Sequence, residues 1–286
     1  MGRLRLMMAG LVLAGCASAD VVAGDLGAAI ASAEPGAVLE LGAQSYSGPI
    51  LIDKAITLVG RQGTVIDSPD GAPAIMIDGA NGVSLESLLI RGGDSGILIR
   101  HSEDVTIEDV SVEQALWHGI LAQDSQLTVS GCRVSGLRAS MPQGIEIINS
   151  DGRPPSFVTG CRIEGPVFEG LAAHVSHVTF ADNVVVGATQ RGVVITEMSD
   201  GLMEGNTVSE SGGTAYFCGD MSNCSIVDNT ADGIGVGDDR LSAMGHGVVV
   251  HYYANAFVTG LEFDGLSGQD VLPMLGGRLV DEAPYP

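Results

Sequence analysis

Lysine is almost absent from this chain: Lys54 is the single one in 286 residues, and 13 basic side chains stand against 35 acidic ones. A surface so short of positive charge repels polyanions, which excludes direct binding of DNA or RNA. The acidic excess reads as a solvated coat, with calcium binding and salt adaptation as alternatives. Aromatic residues are scarce, at 4% with one tryptophan, and long amphipathic helices are missing. Cys218 and Cys224 lack histidine partners at zinc spacing, which argues against a metal site there. Ser-His-Asp spacing, a phosphate loop and a dinucleotide fingerprint are also missing, which excludes nucleotide chemistry.

Glycine, at 41 residues, and a repeat are what the chain has instead. Residues 96–115 hold three short runs, at 97–99, 105–107 and 110–112, each apolar at alternate positions. That is the period of a strand. The same plan returns every twenty-odd residues, the mark of a stacked array. After Ala74 the coils align on the residue that opens the third run: Leu88, Val110, Cys132, Cys161, Asn183, Asn206, Asn229 and Leu261, at spacings of 22, 22, 29, 22, 23, 23 and 32. Parallel strands stack about 4.8 Å apart, so equivalent residues lie above one another. The column therefore predicts a side-chain ladder through Cys132, Cys161, Asn183, Asn206 and Asn229, the amides bonding up the stack and satisfying turn backbone groups. Cys132 and Cys161, one strand spacing apart, can be bonded or free. The long spacings mark insertions at 149–156 and 232–245, where a solenoid commonly shapes its binding surface.

At the amino terminus Arg3 and Arg5 precede an apolar run at 6–13, the layout of an export signal and too short to span a bilayer. The run ends Leu13-Ala14-Gly15-Cys16, which resembles a bacterial lipobox. That resemblance implies lipidation of Cys16, with a plain signal cleaved near 17–19 as the alternative. It also implies a lipid anchor in the cell envelope, at the outer membrane because Ala17 and Ser18, not an acid, follow the cysteine. In an exported protein Cys218 and Cys224, which flank a compact loop, are the better disulfide candidates.

Residues 25–33 carry Leu26, Ala29, Ile30 and Ala33 on one helical face, with Asp25 as cap and Pro35-Gly36 as stop. A helix there would cover the open end of the stack. The stretch that follows from it, AAIASAEPGAVLELGAQSYSGPILIDKAITLVG at 28–60, resembles the opening of many right-handed parallel β-helix proteins, and the similarity extends to about residue 266. It covers the pectate-lyase-like superfamily broadly, including carbohydrate-binding and sugar-cleaving members and periplasmic accessory proteins of nitrous-oxide reductase maturation. The expected fold is all-β, a right-handed single-stranded parallel β-helix with a short N-terminal capping helix. The expected layout is a signal at 1–15, a tether at 16–24, cap and opening coils at 25–73, repeats at 74–267, and a C-terminal cap and tail at 268–286.

The fold leaves the activity open, so function rests on outward positions of the first strands. One outward line runs Arg100, Gln123, Ile148, His174, Thr196, Gly219, His251, and another runs Ser95, His118, Gln143, Glu169, Arg191, with His246 further on. With Trp117, Glu146, Tyr252 and Tyr253 these gather His, Arg, Glu and aromatic side chains on one sheet, a surface suited to a polysaccharide. Its predicted ligand-binding residues are Arg100, Trp117, His118, Gln123, Glu146, Glu169, His174, Arg191, His246, His251 and Tyr252. A lyase would need Arg100 or Arg191 as base and calcium to neutralise a uronate carboxylate. Asn229-Thr230, Asp232-Gly233, Asp238-Asp239 and Gly245-His246-Gly247 resemble in order the elements of polygalacturonase-type hydrolases, which would assign chemistry to Asp238, Asp239 and His246. They crowd into one loop instead of successive coils, and that family's basic element is missing. The expected function is carbohydrate binding by an anchored β-helix, with glycan cleavage, or a noncatalytic scaffold or maturation factor for a protein partner, as the alternatives.

Overall fold

The computed structural model describes residues 21–235 and 245–285. Its one helix among them is Leu26–Ser32; nearly everything else is parallel strand. Ser95–Arg100, Val105–Glu108 and Ser111–Glu113 make one coil, and each lies beside its counterpart in the next: His118–Gln123, Leu127–Ser130 and Arg133–Ser135. The chain is thus a parallel β-helix with three faces. We call them the first, second and third sheets, in the order in which a coil visits them.

Alternation explains which way each side chain points. Ile97, Ile99, Ile107, Val110 and Val112 are fully buried, and the same positions fill the core in neighbouring coils. The corner after the second strand needs a left-handed residue, supplied in turn by Asp109, Gly131, Gly160, Asp182, Gly205, Asp228 and Gly260, all at positive φ. At Gly131 a Cβ would lie 2.6 Å from Asp109 Oδ1, so glycine there makes room for the aspartate stacked on it.

Three separate strands per coil is not the rule throughout. Arg162–His174 and Val184–Thr196 each run 13 residues, from the third sheet into the first sheet of the following coil. The corner is turned by register shifts between Glu164 and Glu169 rather than by a tight turn. The two sheets merge there.

At the start of the stack, Asp25 accepts the Ala28 N–H at 3.0 Å and caps the helix, which buries Leu26 and Ile30 against the first coils. Lys54 Nζ donates to the carbonyls of Ala31 and Ala33 at the other helix end. Among the described residues no helix is long and apolar enough to cross a membrane.

The interior is held by polar ladders as well as apolar contact. Asn183 donates its backbone N–H and its amide to Asn206 Oδ1 at 3.1 and 3.0 Å. Asn206 does the same to Asn229 at 2.9 and 3.0 Å, while Cys161 N–H donates to Asn183. A second ladder escaped the sequence reading. In the turn after the first strand the hydroxyls of Ser102, Ser125, Ser150, Ser176, Ser199 and Ser222 each accept a backbone N–H from the coil before, at 3.0 to 3.3 Å. Cys218 and Cys224 are joined in a disulfide, and Cys132 and Cys161 are free and buried.

Candidate functional site

The register sets three outward columns on the first sheet. Pairing places Ser95, His118, Gln143, Glu169 and Arg191 in one column, and Asp78, Arg100, Gln123, Ile148, His174 and Thr196 in another. Between them runs Leu98, Leu121, Glu146, Ala172, Val194, Phe217 and Val249. Glu146 is the one charged member of that middle column.

Around Glu146 five side chains from four coils converge. His118 Nε2 lies 3.1 Å from Glu146 Oε2, and His118 Nδ1 lies 3.3 Å from the Ser95 hydroxyl. His174 Nε2 stands 3.6 Å from the other Glu146 oxygen and 3.9 Å from Glu169 Oε2, so one imidazole nitrogen faces two carboxylates without a hydrogen bond to either. Arg191 donates to Glu169 Oε1 at 3.0 Å, and its guanidinium lies 4.0 Å above the Phe217 ring. Glu169 is only 4% exposed. Burial pushes its carboxyl above the ordinary carboxylate range, Arg191 and His174 oppose that rise, and Glu146 adds to it. A carboxyl held toward its protonated form beside another carboxylate is an arrangement able to donate and accept protons.

The contacts continue from Phe217. His251 packs on its ring at 5.6 Å between centroids, Tyr252 follows at 6.3 Å from His251, and Tyr253 meets Tyr252 edge-on at 5.0 Å. Both tyrosine rings are exposed. Ala172, Val194, Phe217 and Val249 form a small buried cluster outside the main core, packed with Leu272 and Met274. Sequence reasoning missed Phe217, Asp78 and Glu197. The signal for Phe217 was in the strand, since Thr214–Cys218 is apolar on its outward middle position as well as inside.

Other predicted residues stand apart from this centre. Arg100 is three coils from His174, roughly 14 Å by strand spacing, and donates to Asp78 at 2.7 Å. His101 is bound to the same Asp78 carboxylate at 3.0 Å, while Glu197 lies 3.7 Å from His174 Nδ1. Gln123 sits next to Arg100 in its column, and Trp117 is exposed at the corner just before His118. His246 Nδ1 accepts the Gln269 N–H of the next coil at 2.8 Å. The two arginines proposed as lyase bases are therefore both tied to carboxylates. Cys16, Asp238 and Asp239 lie outside the described residues. Among the described residues, no group of three or more His, Cys, Asp and Glu is disposed to hold a metal ion, so the calcium expectation finds no ligand set there.

One further observation separates this face from the rest. Among the described residues, the buried side-chain polar atoms without a hydrogen-bond partner are Arg100 Nε, Gln143 Oε1 and His251 Nδ1, and all three belong to outward positions of the first sheet. Asp220 Oδ1, at 3.7 Å, is too far from His251 Nδ1 for a hydrogen bond. Each of these atoms is shut off from solvent by its neighbours, so a side chain must move before a ligand could reach it.

The family described as a right handed beta helix region matches residues 95–269. Among solved structures, an alginate lyase from Paenibacillus sp. str. FPU-7 aligns over 89% of this chain and 96% of its own, with a TM-score of 0.71 and 14% identity. A pectate lyase aligns over 91% of this chain and 75% of its own at TM-score 0.59 and 13% identity. A family 28 exopolygalacturonase from Yersinia enterocolitica aligns over the same shares at TM-score 0.58 and 11% identity. At such identities the likeness concerns the fold alone. A comparison with curated protein sequences gives no match.

Proposed function

The chain belongs to the right-handed β-helix family, and from that premise we propose that it binds a polysaccharide along the outward face of its first sheet. The observation that carries this reading is the gathering of the partly exposed His118, Glu146, His174 and Arg191 side chains on one sheet that ends in the exposed Tyr252 and Tyr253 rings. Sugars need both: fixed polar groups for hydroxyls and aromatic faces for rings. Similar folds that act on alginate, pectate and polygalacturonate support it.

The central cluster supports acid–base processing of the bound glycan as a second step, because burial raises the Glu169 carboxyl while Glu146 stands between two imidazoles. In this reading Glu169, Glu146 and His174 share the proton transfers, and Arg191 positions Glu169. Cys16 carries the lipid that holds the protein at the cell envelope, on the outer membrane. Intact mass after detergent extraction tests the anchor, and an unmodified Cys16 would remove it.

The binding test is retention of the purified protein on a panel of polysaccharides, with and without calcium. His174→Ala combined with His251→Ala should weaken retention at least tenfold; equal retention by the variant means the wrong face was chosen. Release of reducing ends or unsaturated uronate then separates hydrolase, lyase and plain binder.

A further inference from the structure

We propose that the polymer this face takes is uncharged, a polysaccharide whose polar groups are hydroxyls, and that polyuronates are turned away. This rests on the carbohydrate reading above and narrows it.

The charge of the face points to that choice, because its positive charge is already used. Arg191 is bound to Glu169 and Arg100 to Asp78, and Arg153, in the inserted turn, is bound to Glu103 and Asp124. Among the described residues no arginine of the first sheet lacks a carboxylate partner. Lys54 is tied to the capping helix. A uronate carboxylate entering near His174 would meet Glu146, Glu169 and Glu197, each within 4 Å of that one ring. Like charges brought together where water is partly excluded repel strongly.

Affinity electrophoresis at neutral pH tests this, with gels containing dextran, glucomannan or xyloglucan on one side and alginate or polygalacturonate on the other, each run in EDTA and in calcium. The expected result is retardation by a neutral polymer and at least tenfold weaker retardation by both polyuronates in either condition. Retardation by a polyuronate equal to or stronger than by the neutral gels overturns the substrate class while leaving carbohydrate binding in place. Passage through every gel without retardation overturns the carbohydrate reading itself. E169Q, which releases Arg191, should gain measurable retardation by polyuronate; unchanged exclusion would move the discrimination away from this cluster.

Discussion

The asparagine ladder inside the coil and the His–Glu–Arg cluster outside it are built by the same device, one polar side chain stacked on the next at the strand spacing. They differ in what each polar atom finds. Asn206 accepts from Asn183, donates to Asn229 and to the Phe180 carbonyl, and is fully buried. Nothing is left for a ligand. On the first sheet the charged groups meet mainly each other, several at 3.6 to 3.9 Å, and His118, His174 and Arg191 stay partly exposed. A closed network serves stability, whereas a half-closed one on an accessible face has capacity to bind.

The largest effect that would test this contrast lies inside. Asn206→Leu strands the Asn183 N–H and the Phe180 carbonyl in the core, which should cost on the order of 3 kcal/mol or more. Denaturant unfolding measures it, and a loss below about 1 kcal/mol would show that the ladder is dispensable. Outside, the paired change His174→Ala, His251→Ala should alter unfolding free energy by no more than about 1 kcal/mol, because both rings are partly solvated and their partners can be hydrated. A drop as large as that of Asn206→Leu would make the cluster a structural element and erase the distinction.

The smallest effect is a pH slope. Burial raises the Glu169 carboxyl above its ordinary 4.5, so between 4.5 and the raised value the native state keeps a proton that the unfolded chain has lost. Stability from this group is fully present below 4.5 and falls as pH rises through that window, with Glu146, His174 and Arg191 as the charged neighbours that set its width. The E169Q protein should lose this part of the slope. Parallel stability curves for wild type and variant would place the titration elsewhere.

How much of this was legible can be followed through particular residues. Asn183, Asn206 and Asn229 could be aligned because each coil returns to the same corner after a nearly constant length. The serine ladder has the same property, at 102, 125, 150, 176, 199 and 222, yet serine is common in turns and the column does not stand out. Arg100 shows the opposite failure. Its partner Asp78 sits in the coil before, and an outward line that begins at Arg100 starts one coil too late to include it.

What the sequence determined by itself was the repeat: alternation chose the inward residues, coil length chose the stacking partners, and together they put His118, Glu146, Glu169, His174 and Arg191 on one sheet. The tertiary structure decided which of these touch. Columns on a sheet stand side by side at distances that long side chains can bridge in several directions, so whether His174 reaches Glu146, or Arg191 turns to Glu169 and Phe217, depends on twist, neighbouring bulk and competing partners. It also decided that Cys218 and Cys224 bond while Cys132 and Cys161 stay free, because a shared column brings two sulfurs near without orienting them.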